Sequence, residues 1–325
     1  MKNIIGQTLV KNYFKKVILY NKLAHSYIFE GQVGTGRKLV SKEIAKTLLC
    51  FDKKKAPCGE CRSCHQINAS SHPDFIVINK DTKVIKVDTI RDKIINEVNT
   101  KPYQSSHKFI VVNDAHTLNS QSQNTLLKTL EDPPSYIIII LIVDNIDKLI
   151  STIKSRCIHI RFNNLSDNEI FEYMQLKNLK TEHLNTYIRF CNGSIGTLEN
   201  ILEDETFLEQ RKESINYLKI LQNCDIIGMY SLIDDILKHK DNICDTLDFW
   251  ILWYRDLAMM KSIKNPKLYF LDEEMYLKNI SNQHTHNKIS RDLNMIQKAK
   301  IDIEKNLNPL FVMENLFIEL KRGIR

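Results

Sequence analysis

Three short stretches of the 325-residue chain hold residue types at spacings that could do chemistry. The first, GQVGTGRK from Gly31 to Lys38, keeps the glycine separation of the phosphate-binding pattern G-x-x-x-x-G-K-[ST] in Gly31 and Gly36, with Gly34 between them. A working loop of this kind sets a lysine on the terminal phosphates and a serine or threonine hydroxyl on Mg²⁺. Here Arg37 and Lys38 stand in those two places. Arg37 brings a bulkier donor set of different shape, and Lys38 puts a cation where the divalent cation would bind. Backbone N–H groups of residues 33–38 could still cradle an anion at the start of a helix. A glycine turn that joins strand to helix without any ligand reads equally well.

The second stretch is FIVVND, from Phe109 to Asp114. An apolar strand ending in two acidic residues supplies the metal-anchoring Asp and the water-activating Glu of an ATPase. Here the pair is Asn113, which has no charge for a metal, and Asp114, one methylene shorter than Glu. Alone this is an ordinary strand ending; beside the loop it is the second altered half of one nucleotide site. The third stretch, CFDKKKAPCGECRSC, carries Cys50, Cys58, Cys61 and Cys64. The spacing C-x7-C-x2-C-x2-C lets four thiolates converge on Zn²⁺, and four protein ligands leave no open position, so the site is structural. His65 reads as a bystander. Ligand bonds worth on the order of 10 kcal/mol would fold a segment with few apolar residues of its own. Such a knuckle either touches nucleic acid or braces a fold, and both readings stand. Cys157, Cys191, Cys224 and Cys244 are scattered and read as small buried residues.

These residues need elements to position them. TLVKNYFKKVILYNKL (8–23) has helical spacing, SYIFEG (26–31) is a strand feeding the glycine loop, and LVSKEIAKTLLC (39–50) is a helix leaving it. DFIVIN (74–79), HKFIVVND (107–114) and YIIIILIVDN (136–145) are apolar runs without polar alternation, the pattern of strands buried on both faces of a parallel sheet. Helical stretches lie between them at 87–101 and 120–132. This predicts a doubly wound α/β domain ending near Arg161 or Phe162. Ser166 and Glu169 form a capping box for a small helical unit with a turn at 192–194. From about Glu205 the chain reads as long amphipathic helices broken only by Pro266 and Pro309. The expected division is 1–163, 164–205 and 206–325. An apolar fraction of 43% and a charged fraction of 26% belong to a soluble globular protein. The net charge of +7 suits a polyanion partner, although no basic cluster stands out. The longest apolar run, Tyr136 to Val143, is too short to span a bilayer, and the N-terminal stretch has no signal-peptide core. The expectation is a cytoplasmic chain with no membrane partner.

With these pieces in place, the chain resembles the bacterial DNA polymerase III clamp-loader subunits of the AAA+ superfamily over essentially its whole length. The matching residues are IIGQ (4–7), AHSYIFEGQVGTGR (24–37), the cysteine knuckle, LLKTLEDPP (126–134), TIKSRC (152–157), GSIGTLE (193–199) and NLNPLFVMENLFIEL (306–320). The resemblance implies an AAA+ P-loop-type parallel-sheet domain with an inserted zinc knuckle, then a small helical lid domain and an all-α collar domain. It implies a hetero-oligomer: a five-membered ring with gamma/tau- and delta-type subunits, acting on the sliding clamp and primer-template DNA during replication as part of the DNA polymerase III holoenzyme. It also implies that Arg156 is an arginine finger for the γ-phosphate of ATP on the neighbouring subunit, a role worth about 10³–10⁵ in rate. From the residues alone, Arg156 would be a surface guanidinium in an ordinary ion pair. Gly196 stands where hydrolysing relatives carry a sensor arginine, and the phosphate-sensing threonine is missing near Val143 and Asp144.

Loop, metal Asp and both sensors are therefore altered together. The expected nucleotide site at Gly31, Gly34, Gly36, Arg37, Lys38 and Asp114 is degenerate, and the chain is a partner in an ATPase rather than an ATPase itself. A weakly active ATPase of the gamma/tau type is the alternative, and a zinc-knuckle nucleic-acid-binding module the third reading. Glu131 and Asp132 sit at a helix C-terminus, where the dipole disfavours them, so a partner cation is expected. The helix over 120–131 is expected to face the adjacent subunit.

Overall fold

The computed structural model describes residues 4–80, 85, 90–179, 181–238 and 242–322. The first three residues of the N-terminal stretch, and residues 87–89 of the helix expected over 87–101, lie outside the described residues. The chain forms two compact units, Met1–Lys180 with Cys191–Leu198, and Thr181–Phe190 with Glu199–Arg325. The segment expected as a lid, 164–205, contributes residues to both.

The first unit is built on a five-stranded sheet in the order β2-β3-β4-β1-β5. Its strands are β1 (Ser26–Glu30), β2 (Phe75–Ile78), β3 (Lys108–Val112), β4 (Ile137–Val143) and β5 (Ile158–Arg161), and every pairing is parallel. Side chains alternate between two covered faces. Ile137, Ile139, Leu141 and Val143 of β4 join Ile28, Ile110 and Val112 in one core, closed by Leu126 and Leu130 of α4 (Ser120–Glu131) and by Ile94 and Val98. Ile138, Ile140 and Ile142 join Tyr27, Phe29, Phe109 and Val111 in the other. That core is closed by Phe14 of α1 (Thr8–Leu19) and by Val40 and Ile44 of α2 (Arg37–Leu49). Both faces are covered, so apolar residues fill every position of β4 and the centres of β1 and β3, and each buried Ile contributes about 1.5–3 kcal/mol.

The α/β fold class expected from the sequence is the one present: a parallel sheet flanked by helices, a cysteine cluster inserted after α2, and, among the described residues, only helices after β5. Three local features differ from expectation. β5 pairs with β1 as an edge strand and leaves Ile158, His159 and Arg161 exposed, so it lacks the apolar run that marked the others. The segment expected as a regular helix is a π-helical turn, Arg91–Ile95, running into a short α-helical turn, Asn96–Val98. The fully buried Lys108 pins its end by donating to the Glu97 carbonyl (2.9 Å), the Glu97 carboxylate (2.9 Å) and Thr100 Oγ1 (2.6 Å). The third is α3 (Arg62–Asn68), which follows the knuckle and buries Cys64 and Ile67.

The remaining described elements around and after β5 are helices. The short α5 (Ser151–Lys154) precedes that strand, and α6 (Asp167–Leu176) follows it with the Ser166–Glu169 capping box in place. Next are α7 (Leu184–Phe190), α8 (Ile195–Glu203), α9 (Phe207–Asn223), α10 (Ile226–Lys238) and α11 (Ile243–Ser262). The chain closes with α12 (Glu274–Gln283), α13 (His286–Glu304) and α14 (Pro309–Arg322). Pro309 opens α14, where its missing N–H costs nothing. Trp250, Trp253, Phe270 and Phe317 centre the core of the second unit. Cys157 and Cys191 are buried as expected; Cys224 and Cys244 are only partly so. Among the described residues no helix is long and apolar enough to cross a membrane.

One buried carboxylate ties the second unit together. Asp256 on α11 has no exposed surface and accepts the N–H groups of Tyr269 (2.7 Å) and Phe270 (2.9 Å), with Arg255 Nη1 at 2.7 Å. Removing it orphans two backbone donors at once and takes the carboxylate from Arg255, which keeps the Lys267 carbonyl at 2.8 Å. Asp256→Ala should therefore cost about 2–5 kcal/mol in denaturant unfolding of the helical unit. Asp256→Asn, which keeps an acceptor, should cost less; a loss under about 1 kcal/mol for the alanine variant would contradict this role.

Candidate functional site

Parallel strands place everything that follows a strand at one edge of the sheet. The glycine loop after β1, Asn113 and Asp114 after β3, and Asp144 after β4 share that carboxyl edge. Gly36 caps α2 with φ +94°, and Gly34 lies at φ +80°. Arg37, the first residue of α2, is 7% exposed and donates through Nη1 to the carbonyl of Val143, the last residue of β4. The Gly31 N–H donates to the same carbonyl at 3.2 Å. Burial lowers the Arg37 pKa, and the carboxylates of Asp144 and Asp114 pull it back up. Lys38 stays exposed, apart from this group.

Asp114 is half-buried in the left-handed region (φ +51°), with Lys80 Nζ 3.8 Å away. Asp144 lies 3.1 Å from His116 Nδ1 and 3.6 Å from Lys148 Nζ. Asn113 is buried, and its amide donates to Asn79 Oδ1 at 2.6 Å, turned to the residue after β2. The structure thus brings Arg37, Asp114 and Asp144 together. Nothing in the sequence pointed to Val143, because the acceptor is a backbone carbonyl.

The start of α8 lies directly on the loop. Ser194 Oγ donates to the Val33 carbonyl (2.8 Å) and the Gly196 N–H to the Gly34 carbonyl (3.2 Å). The two glycines touch through their backbones: a Cβ on Gly34 would stand 2.9 Å from Gly196 Cα, and one on Gly196 would stand 2.8 Å from Gly34 Cα. Any side chain at 196, a sensor arginine included, meets the Gly34 backbone. Gly36 also has positive φ, but a Cβ there would meet nothing within 4 Å.

The opposite, amino edge holds Arg156. It follows α5 and precedes Cys157, whose thiol burial pushes up to about 11. Ser26 Oγ, at the start of β1, donates to the Arg156 carbonyl at 2.8 Å and fixes the backbone there. The guanidinium is about one-third exposed. Its Nη1 donates to the Thr152 carbonyl (3.0 Å) and to Ser155 Oγ (3.3 Å), and its Nη2 pairs with Glu131 Oε1 at 2.8 Å. The cation expected beside the acidic end of α4 is therefore Arg156. Between this edge and the glycine loop runs the five-residue β1, a span of about 16 Å.

Cys50, Cys58, Cys61 and Cys64 converge, with all four Sγ atoms within 4.8 Å of one another. Cys50 lies 3.5 Å from Cys58 and 3.9 Å from Cys61, and Cys58 lies 4.0 Å from Cys64. A tetrahedral metal with ligand bonds near 2.3 Å needs sulfur–sulfur edges of about 3.8 Å, so the thiols fit such an ion. Backbone N–H groups already point at the sulfurs, from Cys61 to Cys58 (3.3 Å) and from Cys64 to Cys61 (3.5 Å). Burial works against ionising Cys61, but the N–H groups of Cys64 and Phe51 and the thiols of Cys58 and Cys64 outweigh it and hold that thiol at about 6. Burial pushes Cys64 up to about 12. His65 is exposed and outside the cluster.

The contact between loop and α8 yields a testable difference between two glycines. Gly34→Ala should destabilise the first unit by about 1–3 kcal/mol in thermal unfolding, because strain at positive φ adds to a clash with backbone. Gly36→Ala carries only the conformational penalty and should cost less. Equal losses at the two positions would rule out the close approach of Gly34 and Gly196.

Known proteins resemble this chain in the same regions. A protein-family model described as "DNA polymerase III, delta subunit" matches residues 6–166. The DNA polymerase III subunit delta' of Bacillus subtilis (strain 168) is 26% identical over 314 residues, 94% of this chain and 95% of that one. The DNA polymerase III subunit gamma of Buchnera aphidicola subsp. Schizaphis graminum is 29% identical over 305 residues, 87% of this chain and 82% of that one. The subunit delta' of Pseudomonas aeruginosa is 35% identical over 138 residues, 42% of each chain. The chain belongs to the DNA polymerase III delta-prime family of clamp-loader subunits.

Proposed function

We propose that this chain is a non-hydrolysing clamp-loader subunit that lends Arg156 to the ATP of a neighbouring subunit and helps place the sliding clamp on primer-template DNA. The observation that carries the reading is the position of Arg37. A hydrolysing site needs a free cation for the phosphates and room for Mg²⁺ beside the strand-end carboxylates. Here a buried guanidinium lies against the Val143 carbonyl, in the field of Asp114 and Asp144. Magnesium entering that place would meet a fixed positive charge. Lys38 replaces the metal-binding hydroxyl, and Gly196 on Gly34 leaves no space for a sensor side chain.

Arg156 faces away from this pocket, across the length of β1. A guanidinium at the amino edge serves a phosphate at the carboxyl edge only if that phosphate belongs to another chain. In this reading the ring has five members, with gamma/tau- and delta-type partners. Its parts here are a sheet domain over 1–163, a lid over 164–205 and a collar over 206–325, and it works in the cytoplasm. Contact with DNA runs through backbone phosphates without base readout. The four cysteines hold zinc as a structural ion, supported by their all-sulfur donor set and tetrahedral spacing. A second reading, a weakly active ATPase of the gamma type, is favoured by the similarity to the Buchnera gamma subunit over most of both chains.

The two readings separate on ATP turnover. The purified chain alone should show no Mg²⁺-dependent turnover above background; brisk turnover would establish the gamma-like reading. Within the reconstituted loader, Arg156→Ala should slow hydrolysis at the one site it faces by about 10³-fold or more while the isolated chain stays folded. Unchanged turnover of the ring would remove the finger. Metal analysis should find about one zinc per chain, and Cys61→Ser should lower both zinc content and the unfolding temperature of the first unit.

A further inference from the structure

We infer that Glu131 is a restraining residue for Arg156: it holds the guanidinium back on its own subunit until a neighbour's phosphate competes it away. The inference rests on the trans role proposed above and names its regulation.

Both terminal nitrogens of Arg156 are engaged within the chain. Nη1 meets the Thr152 carbonyl at 3.0 Å and Ser155 Oγ at 3.3 Å, and Nη2 meets Glu131 Oε1 at 2.8 Å. The side chain is folded back along α5 rather than extended. A guanidinium contacts a phosphate best with two parallel N–H groups, and those are the groups now occupied. Engagement of a γ-phosphate therefore requires the Glu131 contact to break. The neighbour's phosphate must bring enough negative charge to displace a carboxylate.

The placement of Glu131 suits it to restraint. It is the last residue of α4, where the helix dipole disfavours a carboxylate, and Arg156 is the cation that offsets this cost. Pro133 and Pro134 follow after Asp132 and stop the helix from continuing, so the carboxylate is set at a fixed point on the amino edge. Ser26 fixes the other end by holding the Arg156 backbone at 2.8 Å. The side chains of Arg156 and Glu131 remain 34% and 50% exposed. A pair this open is weak enough to exchange partners, and losing it is worth about two- to fivefold in an equilibrium.

The test uses the reconstituted clamp loader with Glu131→Gln, Glu131→Asp and Arg156→Ala, alone and combined. The readout is the Arg156-dependent share of ATP turnover, taken as the difference between rings with Arg156 and rings with Arg156→Ala. Glu131→Gln should raise that share at subsaturating ATP by about two- to fivefold at low ionic strength. The gain should shrink toward none near 1 M salt, where the Debye length is about 3 Å. Glu131→Asp keeps the charge and should stay near wild type. In the Arg156→Ala background, Glu131→Gln should change nothing. Thermal unfolding of the isolated chain should be the same for Glu131→Gln and wild type, which separates restraint from a folding defect.

If Arg156→Ala lowers turnover but Glu131→Gln leaves it unchanged or lowers it, the restraint is overturned and the finger stands. A gain that persists in the Arg156→Ala background, or that ignores salt, also overturns it. If Arg156→Ala has no effect, the trans role itself fails.

Discussion

Five strands running the same way give the sheet two chemically different edges, and the rest of the molecule is arranged around that constraint. Both faces are filled with Ile, Val, Leu and Phe, so no polar side chain passes through the sheet from one edge to the other. Residues that follow strands gather at the carboxyl edge: the glycine loop, Asp114 and Asp144. Residues that precede strands gather at the amino edge: Ser26, Glu131 and Arg156. A phosphate pocket and a guanidinium on opposite edges cannot serve each other within one chain. In the ring proposed above they could, with the amino edge of one subunit set against the carboxyl edge of the next.

That arrangement explains why the glycines persist beside an arginine and a lysine that do not suit a metal. Gly34 is held at positive φ against the Gly196 backbone, and Gly36 must turn the chain into α2. Those demands come from backbone geometry and are indifferent to nucleotide. The side-chain demands of phosphate and magnesium are separate, and in the reading proposed above this chain does not meet them. Arg37 rests on a backbone carbonyl within the field of two strand-end carboxylates, whose own contacts are to Lys80, His116 and Lys148. The knuckle is independent of those contacts: the zinc proposed for its four cysteines would supply, through ligand bonds, the stability that so short a segment cannot draw from an apolar core.

What could be read from the sequence follows physical lines. β1, β3 and β4 were visible because strands buried on both faces carry apolar runs without polar alternation, and Ile137–Val143, apolar at every position, is the extreme case. β5 was hidden because an edge strand exposes Ile158, His159 and Arg161. The cysteines were legible because the ligand spacing is local, within fifteen residues of chain from Cys50 to Cys64. The partner of Arg37 was not, since a main-chain carbonyl 106 residues away leaves no mark on residue type. Glu131 is an intermediate case. Its place at a helix C-terminus called for a cation, but only the sheet topology brings Arg156 to it. The contact of Gly34 with Gly196 had one trace, two small residues far apart in sequence, and that trace was read only as a missing sensor.

The most direct measurement is a structure of the assembled clamp loader with Mg²⁺ and a non-hydrolysable ATP analogue. Arg156 should have left Glu131 and lie within about 3 Å of a γ-phosphate oxygen on the adjacent subunit. Arg37 should still rest on the Val143 carbonyl, with no metal between Asp114 and Asp144. Nucleotide and Mg²⁺ seated in the Gly31–Lys38 loop of this chain, with Arg156 turned away from every neighbour, would contradict the division of labour between the two edges.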